Sequence, residues 1–171
     1  MGMYICCCII GGWATVVGGD SIVVGSNAEF ATYDPVTGVR PLMASMQTSS
    51  FALSTTTSNL RIGANATVTS GGATLNSLTM NNAAITLSFA NANDVLTLTS
   101  GGLISGTDDN ARSIGSASVR GKLTTTNSEM FIHQGRNTLT INSEIGNGAT
   151  FDLIFDGLSQ ANTQAVTLTN A

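Results

Sequence analysis

The chain has 171 residues, 9% of them charged, and a net charge of −4. One lysine and five arginines scattered along it cannot neutralise a run of phosphates, which argues against nucleic acid as a partner. Threonine, serine, asparagine and glycine supply a little under half of the chain, yet 42% of it is apolar; that is too much for a disordered polymer and enough for the core of one domain.

Residues 3–10 are apolar and read as a strand. Eight residues fall far short of the roughly 20 that span a bilayer, so no membrane crossing is expected in this segment. No Lys or Arg precedes Arg40, so the charged start of a secretory signal is missing, and Met1 reads as the edge of a longer chain. Cys6, Cys7 and Cys8 are consecutive. Neighbours on a strand point to opposite faces, so they read as small buried hydrophobes, not as a disulfide framework or metal site.

Gly11-Gly12 and Gly18-Gly19-Asp20 separate further short strands over residues 13–17 and 21–24. Residues 29–33 read as a short strand exposed at alternate positions. Asp34-Pro35 and Thr37-Gly38 are turn chemistry, and residues 34–42 are expected to protrude as a loop. Residues 43–58 are rich in Ser and Thr and fit either a strand pair or an irregular excursion.

From Leu60 the pattern settles. Across residues 72–102, Leu78/Met80, Ile85/Leu87/Phe89 and Leu96/Leu98 alternate with Thr, Ser and Asn. A period of two places the apolar set on one face of a strand and the polar set on the other. Asn, Asp and Gly between the runs make corners. Such one-sided strands need copies stacked on them to bury their apolar face. Leu78, Leu98, Val119 and Ile141 recur at nearly even intervals and are expected to line up, as are Ile132 and Leu153. Leu168 falls farther beyond Ile141 than that interval allows, which suggests an inserted loop over residues 156–164.

The fold class is therefore all-β, a single-stranded right-handed parallel β-helix, or β-solenoid, of about 21 residues per coil. Residues 1–171 form one solenoid segment, with residues 34–58 irregular and 60–171 in regular coils. Seven or eight coils at about 4.8 Å would make a body roughly 35 Å long. Apolar strands at both ends, without a cap, suggest that the solenoid continues at each end.

Three stretches resemble a family when taken in order. They are Gly11-Gly12-Trp13-Ala14-Thr15-Val16-Val17-Gly18-Gly19-Asp20, then Phe30-Ala31-Thr32-Tyr33-Asp34-Pro35, then Thr37-Gly38-Val39-Arg40-Pro41-Leu42. Gly121-Lys122-Leu123-Thr124, Glu129-Met130-Phe131-Ile132-His133 and Thr138-Leu139-Thr140-Ile141-Asn142-Ser143 extend the match. Together they resemble the autotransporter-associated β-strand repeats of very long bacterial surface proteins, over residues 11–155. The resemblance implies an exported β-helical passenger, displayed on or released from the surface of Gram-negative-type bacteria and linked to the outer membrane through other parts. It implies no chemistry. The sequence departs from the pattern in having no signal and no run of the ~10-residue alternating segments of a membrane β-barrel.

Candidate sites are sparse. Asp94, Asp108-Asp109, Asp152 and Asp156 stand singly or at corners. Calcium takes six to eight oxygens, and Asp108-Asp109-Asn110 could give only two or three, so the group reads as a solvated turn. Glu129 and His133 share a strand face but lie about 13 Å apart along it, too far for an acid–base pair; His133 reads as an outward residue near a corner. Arg112, Arg120, Lys122 and Arg136 could attract an anionic glycan, but read as an exposed scatter. Thr67/Thr69, Thr97/Thr99, Thr138/Thr140 and Thr167/Thr169 are unevenly spaced, against a regular ladder of the kind that binds ice. No catalytic, cofactor-binding or metal residue is therefore expected. The expected role is a non-catalytic structural and adhesive segment at the cell surface, meeting glycans or other surface components through weak multivalent contacts. The alternative is a polysaccharide lyase or glycoside hydrolase on the same fold.

Overall fold

The computed structural model describes residues 8–17, 28–81, 83–106, 108–158 and 165–169. Cys6, Cys7, the strand expected over residues 21–24 and most of the one expected over residues 3–10 lie outside them. Of the described residues, 53% are strand, and the main body is a parallel β-solenoid of about four turns.

The strands run β1 Thr15–Val17, β2 Ala28–Asp34, β3 Gly38–Pro41, β4 Gln47–Thr48, β5 Asn59–Ile62, β6 Ala66–Val68, β7 Ala73–Met80 and β8 Ile85–Phe89. They continue with β9 Val95–Ser105, β10 Arg112–Ile114, β11 Lys122–Thr125, β12 Glu129–Gln134, β13 Thr138–Ile141, β14 Glu144–Ile145, β15 Asp152–Gly157 and β16 Ala165–Leu168. The body has three faces. The first stacks β6, β8, β10, β13 and β16. The second stacks the first halves of β7 and β9 with β11 and β14, and the third stacks β4, β5, the second halves of β7 and β9, then β12 and β15. Every pairing in the body is parallel.

The alternation that marks each strand is realised side by side. Leu87, Ile114, Ile141 and Leu168 form one inward column on the first face. Leu60, Leu78, Leu103, Ile132 and Phe155 form another on the third. Leu78, Leu87, Leu103, Ile114 and Ile132 are wholly buried. Each such side chain removed from water contributes roughly 1.5–3 kcal/mol.

The columns differ from the expected one. Leu78 stacks between Leu60 and Leu103. Leu98 lies between Leu75 and Thr125, and Ile141 between Ile114 and Leu168. Val119 packs against the core from outside the strands. Leu153 faces Met130, not Ile132. The physical reason is that a period of two assigns a face and leaves the register open. Register follows the lengths of the corners, which vary. On the third face the stacked Leu60, Leu78, Leu103, Ile132 and Phe155 are unevenly spaced along the chain. On the first face the rungs marked by Ile85, Arg112, Leu139 and Val166 recur at one constant interval, the 27 positions that separate Thr86 from Ser113. Ile141 and Leu168 stand one such interval apart, so their separation calls for no insertion; residues 159–164, most of the loop expected there, lie outside the described residues. With three strands per turn there are about four turns where seven or eight were expected, a stack of about 19 Å at 4.8 Å per turn.

The N-terminal part is a separate antiparallel sheet in the order β1-β2-β3. The expected loop at residues 34–42 is a hairpin. Asp34 Oδ1 accepts the backbone N–H groups of Val36 and Thr37 at 2.8 and 3.0 Å, and Gly38 takes φ +79°. The expectation of alternate exposure along residues 29–33 fails too. Ala28 through Thr32 are all buried, because β2 is the middle strand and the sheet lies on the third face of the solenoid. Ile9, Phe30, Leu42 and Ile104 form the small core between them. Residues 43–58 hold two single 3₁₀ turns on either side of β4, which begins the third face. Among the described residues no helix is long and apolar enough to cross a membrane.

Candidate functional site

The first face presents an uncharged, repeating array to solvent. Thr86, Ser113, Thr140 and Thr167 stand in one outward column on successive rungs. Ser113 Oγ donates to Thr86 Oγ1 at 3.2 Å, and Asn65 Oδ1 accepts the Thr86 N–H at 2.8 Å. Beside this column, Thr67 stands opposite Ser88, and Thr169 Oγ1 donates to Asn142 Oδ1 at 2.7 Å. Strand geometry sets the backbone positions that carry these hydroxyls about 4.8 Å apart between rungs and about 6.7 Å apart along a strand. The uneven Thr-x-Thr spacing in the sequence compares residues on different faces. Thr97 belongs to a second column, Thr74–Thr97–Thr124, on the second face, whereas Thr140 and Thr167 do stack.

The carboxylates go to other uses. Asp94 sits at a corner, where Oδ2 accepts Asn91 N–H at 2.7 Å and Oδ1 accepts Gly71 N–H at 2.9 Å. Asp108 receives the Arg112 guanidinium, and Asp109 lies 3.2 Å from Arg136. Partial burial pushes the Asp108 carboxyl up, but hydrogen bonds from Asn110 and Arg112 outweigh it and hold the group below its ordinary range. Arg112 is not part of an exposed scatter. It is 3% exposed and occupies an inward position between Ile85 and Leu139, reaching out to the Asn110 carbonyl at 2.8 Å. Lys122 turns to Glu144 at 3.7 Å. Arg112, Lys122 and Arg136 therefore do not converge on one surface; Arg120 is exposed on the corner before β11.

Cys8 is exposed, contrary to the buried reading, and its carbonyl accepts the Thr32 hydroxyl at 2.8 Å.

His133 departs furthest from expectation. It does point away from the bore, in a column of Arg61, Thr79, Ile104, His133 and Asp156. It is nevertheless only 1% exposed, because the antiparallel sheet covers that column. Its Nε2 lies 2.7 Å from the Gly12 carbonyl oxygen and its Nδ1 3.1 Å from Asp156 Oδ2. Phe30 meets the imidazole edge-on and Phe131 stacks on it. Gly12 can approach this closely because it has no side chain; a Cβ would collide with the Ser100 carbonyl and the Gly102 amide. At the other end of the column Glu29 meets Arg61, and Gln47 donates to it at 2.9 Å. Burial pushes the Glu29 carboxyl above its ordinary range despite these partners.

An open groove of about 360 Å³ lies between β15 and β16, lined by Gln134, Phe155, Asp156, Val166 and Leu168. Another, of about 480 Å³, lies at the opposite end beside Phe51, Ile62 and Asn65. Among the described residues no three His, Cys, Asp or Glu side chains come together as a metal site. No family model, curated protein or solved structure matches the chain.

Proposed function

We propose that this chain is a structural and adhesive solenoid segment of an exported bacterial surface protein, and that its first face meets glycans or other cell-surface components by many weak contacts. The observation that carries this reading is the column Thr86, Ser113, Thr140 and Thr167, repeated and uncharged. A surface of hydroxyls at a fixed repeat suits neutral, hydroxyl-rich partners, and repetition gives strength through avidity. The resemblance of the residues around Gly11–Gly12, Phe30–Pro35 and Glu129–His133 to autotransporter-associated repeats supports display at the cell surface. Polysaccharide cleavage would need several acidic or basic groups in one groove, and Asp94, Asp108 and Asp109 are each engaged by a turn or an arginine.

A glycan array and a cell-adhesion assay test the reading. Thr86→Asp and Thr140→Asp should each weaken binding, and together weaken it further, while Thr97→Asp on the second face should leave it intact. Absence of binding by the unaltered chain, or equal loss in all three variants, removes the adhesive role.

A further inference from the structure

The buried imidazole of His133 faces two acceptors. A backbone carbonyl can only accept, so the 2.7 Å contact to Gly12 requires a hydrogen on Nε2. An ionised carboxylate can only accept, so the 3.1 Å contact to Asp156 requires a hydrogen on Nδ1. A neutral imidazole carries one such hydrogen. Either neutral tautomer turns a lone pair on an acceptor oxygen, and burial denies that nitrogen a water in exchange. Both contacts are satisfied together only by the imidazolium.

These contacts join two parts of the fold. Gly12 belongs to the segment leading into the antiparallel sheet, 121 residues from His133 in the chain, while His133 and Asp156 belong to the solenoid. We propose that His133 is a proton-operated clasp, which fastens the N-terminal sheet to the third face when protonated and loosens it when the proton leaves. Among the described residues, Asp156 on β15 is the charged group facing the ring. The neighbouring strand β9 presents Ile104. The covering sheet presents Phe30, and its Glu29 is turned to Arg61 and Gln47. Histidine side chains as a class change charge between about pH 5 and 8. Loss of the ring proton would leave one of the two acceptor oxygens facing a lone pair, and so loosen the sheet.

The chain has a single histidine, so its ring nitrogens give an unambiguous magnetic-resonance signal in the whole protein. Both should carry hydrogen while the sheet is fastened, and one should lose it as the pH is raised and the sheet loosens. Over the same range, protection of the Ala31 and Thr32 amides from hydrogen exchange should fall about tenfold relative to Leu87 and Phe89 in the solenoid, the scale of one charge-assisted hydrogen bond. Asp156→Asn supplies a carboxamide that can donate to Nδ1 or accept from it, so the relative protection should become independent of pH. Asp156 is 55% exposed, so this near-isosteric change leaves the core intact. A single neutral tautomer throughout, or relative protection that does not move with pH in the unaltered chain, overturns the clasp. A pH step retained in Asp156→Asn overturns it as well.

Discussion

Two carboxylates on one hairpin respond to pH in opposite directions. The backbone N–H groups of Val36 and Thr37 hold Asp34 below its ordinary value of 3.8. A depressed acid contributes stability above its unfolded value and loses it as the pH falls through the folded one. Glu29 is raised above 4.5 by burial, so its contribution is complete below the unfolded value and is lost as the pH rises through the folded one. The turn at residues 35–37 should therefore loosen below about pH 4, read from the amide signals of Val36 and Thr37. Asp34→Ala should loosen it at neutral pH and leave no further change on acidification. A turn that stays ordered at pH 2 would contradict the assignment. Glu29 and His133 also show where single-residue reading of the sequence stops. Alternation places both on outward faces, and both are outward from their strands' apolar sides. Their burial comes from partners 32 and 121 residues away, and no local pattern encodes such a partner.

At the scale of elements, β9 organises the body. Its eleven residues turn a corner between the second and third faces and pair with β7, β11 and β12. The corner depends on Gly101, which has φ +74° and whose missing Cβ would collide with the Glu129 carbonyl of the next rung. Gly101→Ala should cost about 1–3 kcal/mol from backbone strain alone, more once β12 is displaced, measured as a shift in the urea midpoint; an unchanged midpoint would show the corner to be relaxed. The individual strands are legible in the sequence because each buries one face. Alternation marks Leu78, Leu98 and Ile141 as inward, and all are buried. Their mutual register is not legible, since it depends on corners whose lengths no periodicity fixes. The same ambiguity hides the antiparallel sheet. Short glycine-punctuated strands at residues 13–17 and 28–41 look alike in sequence whether the chain coils onward or folds back.

For the whole molecule, each turn rests on its neighbours, so stability accumulates along the stack, not around one centre. The hydroxyl column of the first face is a product of that stacking. It exists at no single strand and appears only when rungs one full turn apart come into line, which is why a search of the sequence for evenly spaced threonine pairs passes over it. The same constant interval makes length a separable property of this protein. Excising residues 112–138 would splice Ala111 to Leu139, set Leu139 on Ile85, Glu144 on Val95 and Ile154 on Gly102, and take out one storey without disturbing the levels above and below. The shortened chain should keep its sheet-type circular dichroism and unfold at lower urea, with the His133 clasp gone. Loss of the sheet signal altogether would mean that the storeys are not interchangeable. If they are, genes of this kind can lengthen or shorten their products in whole floors without inventing a new fold.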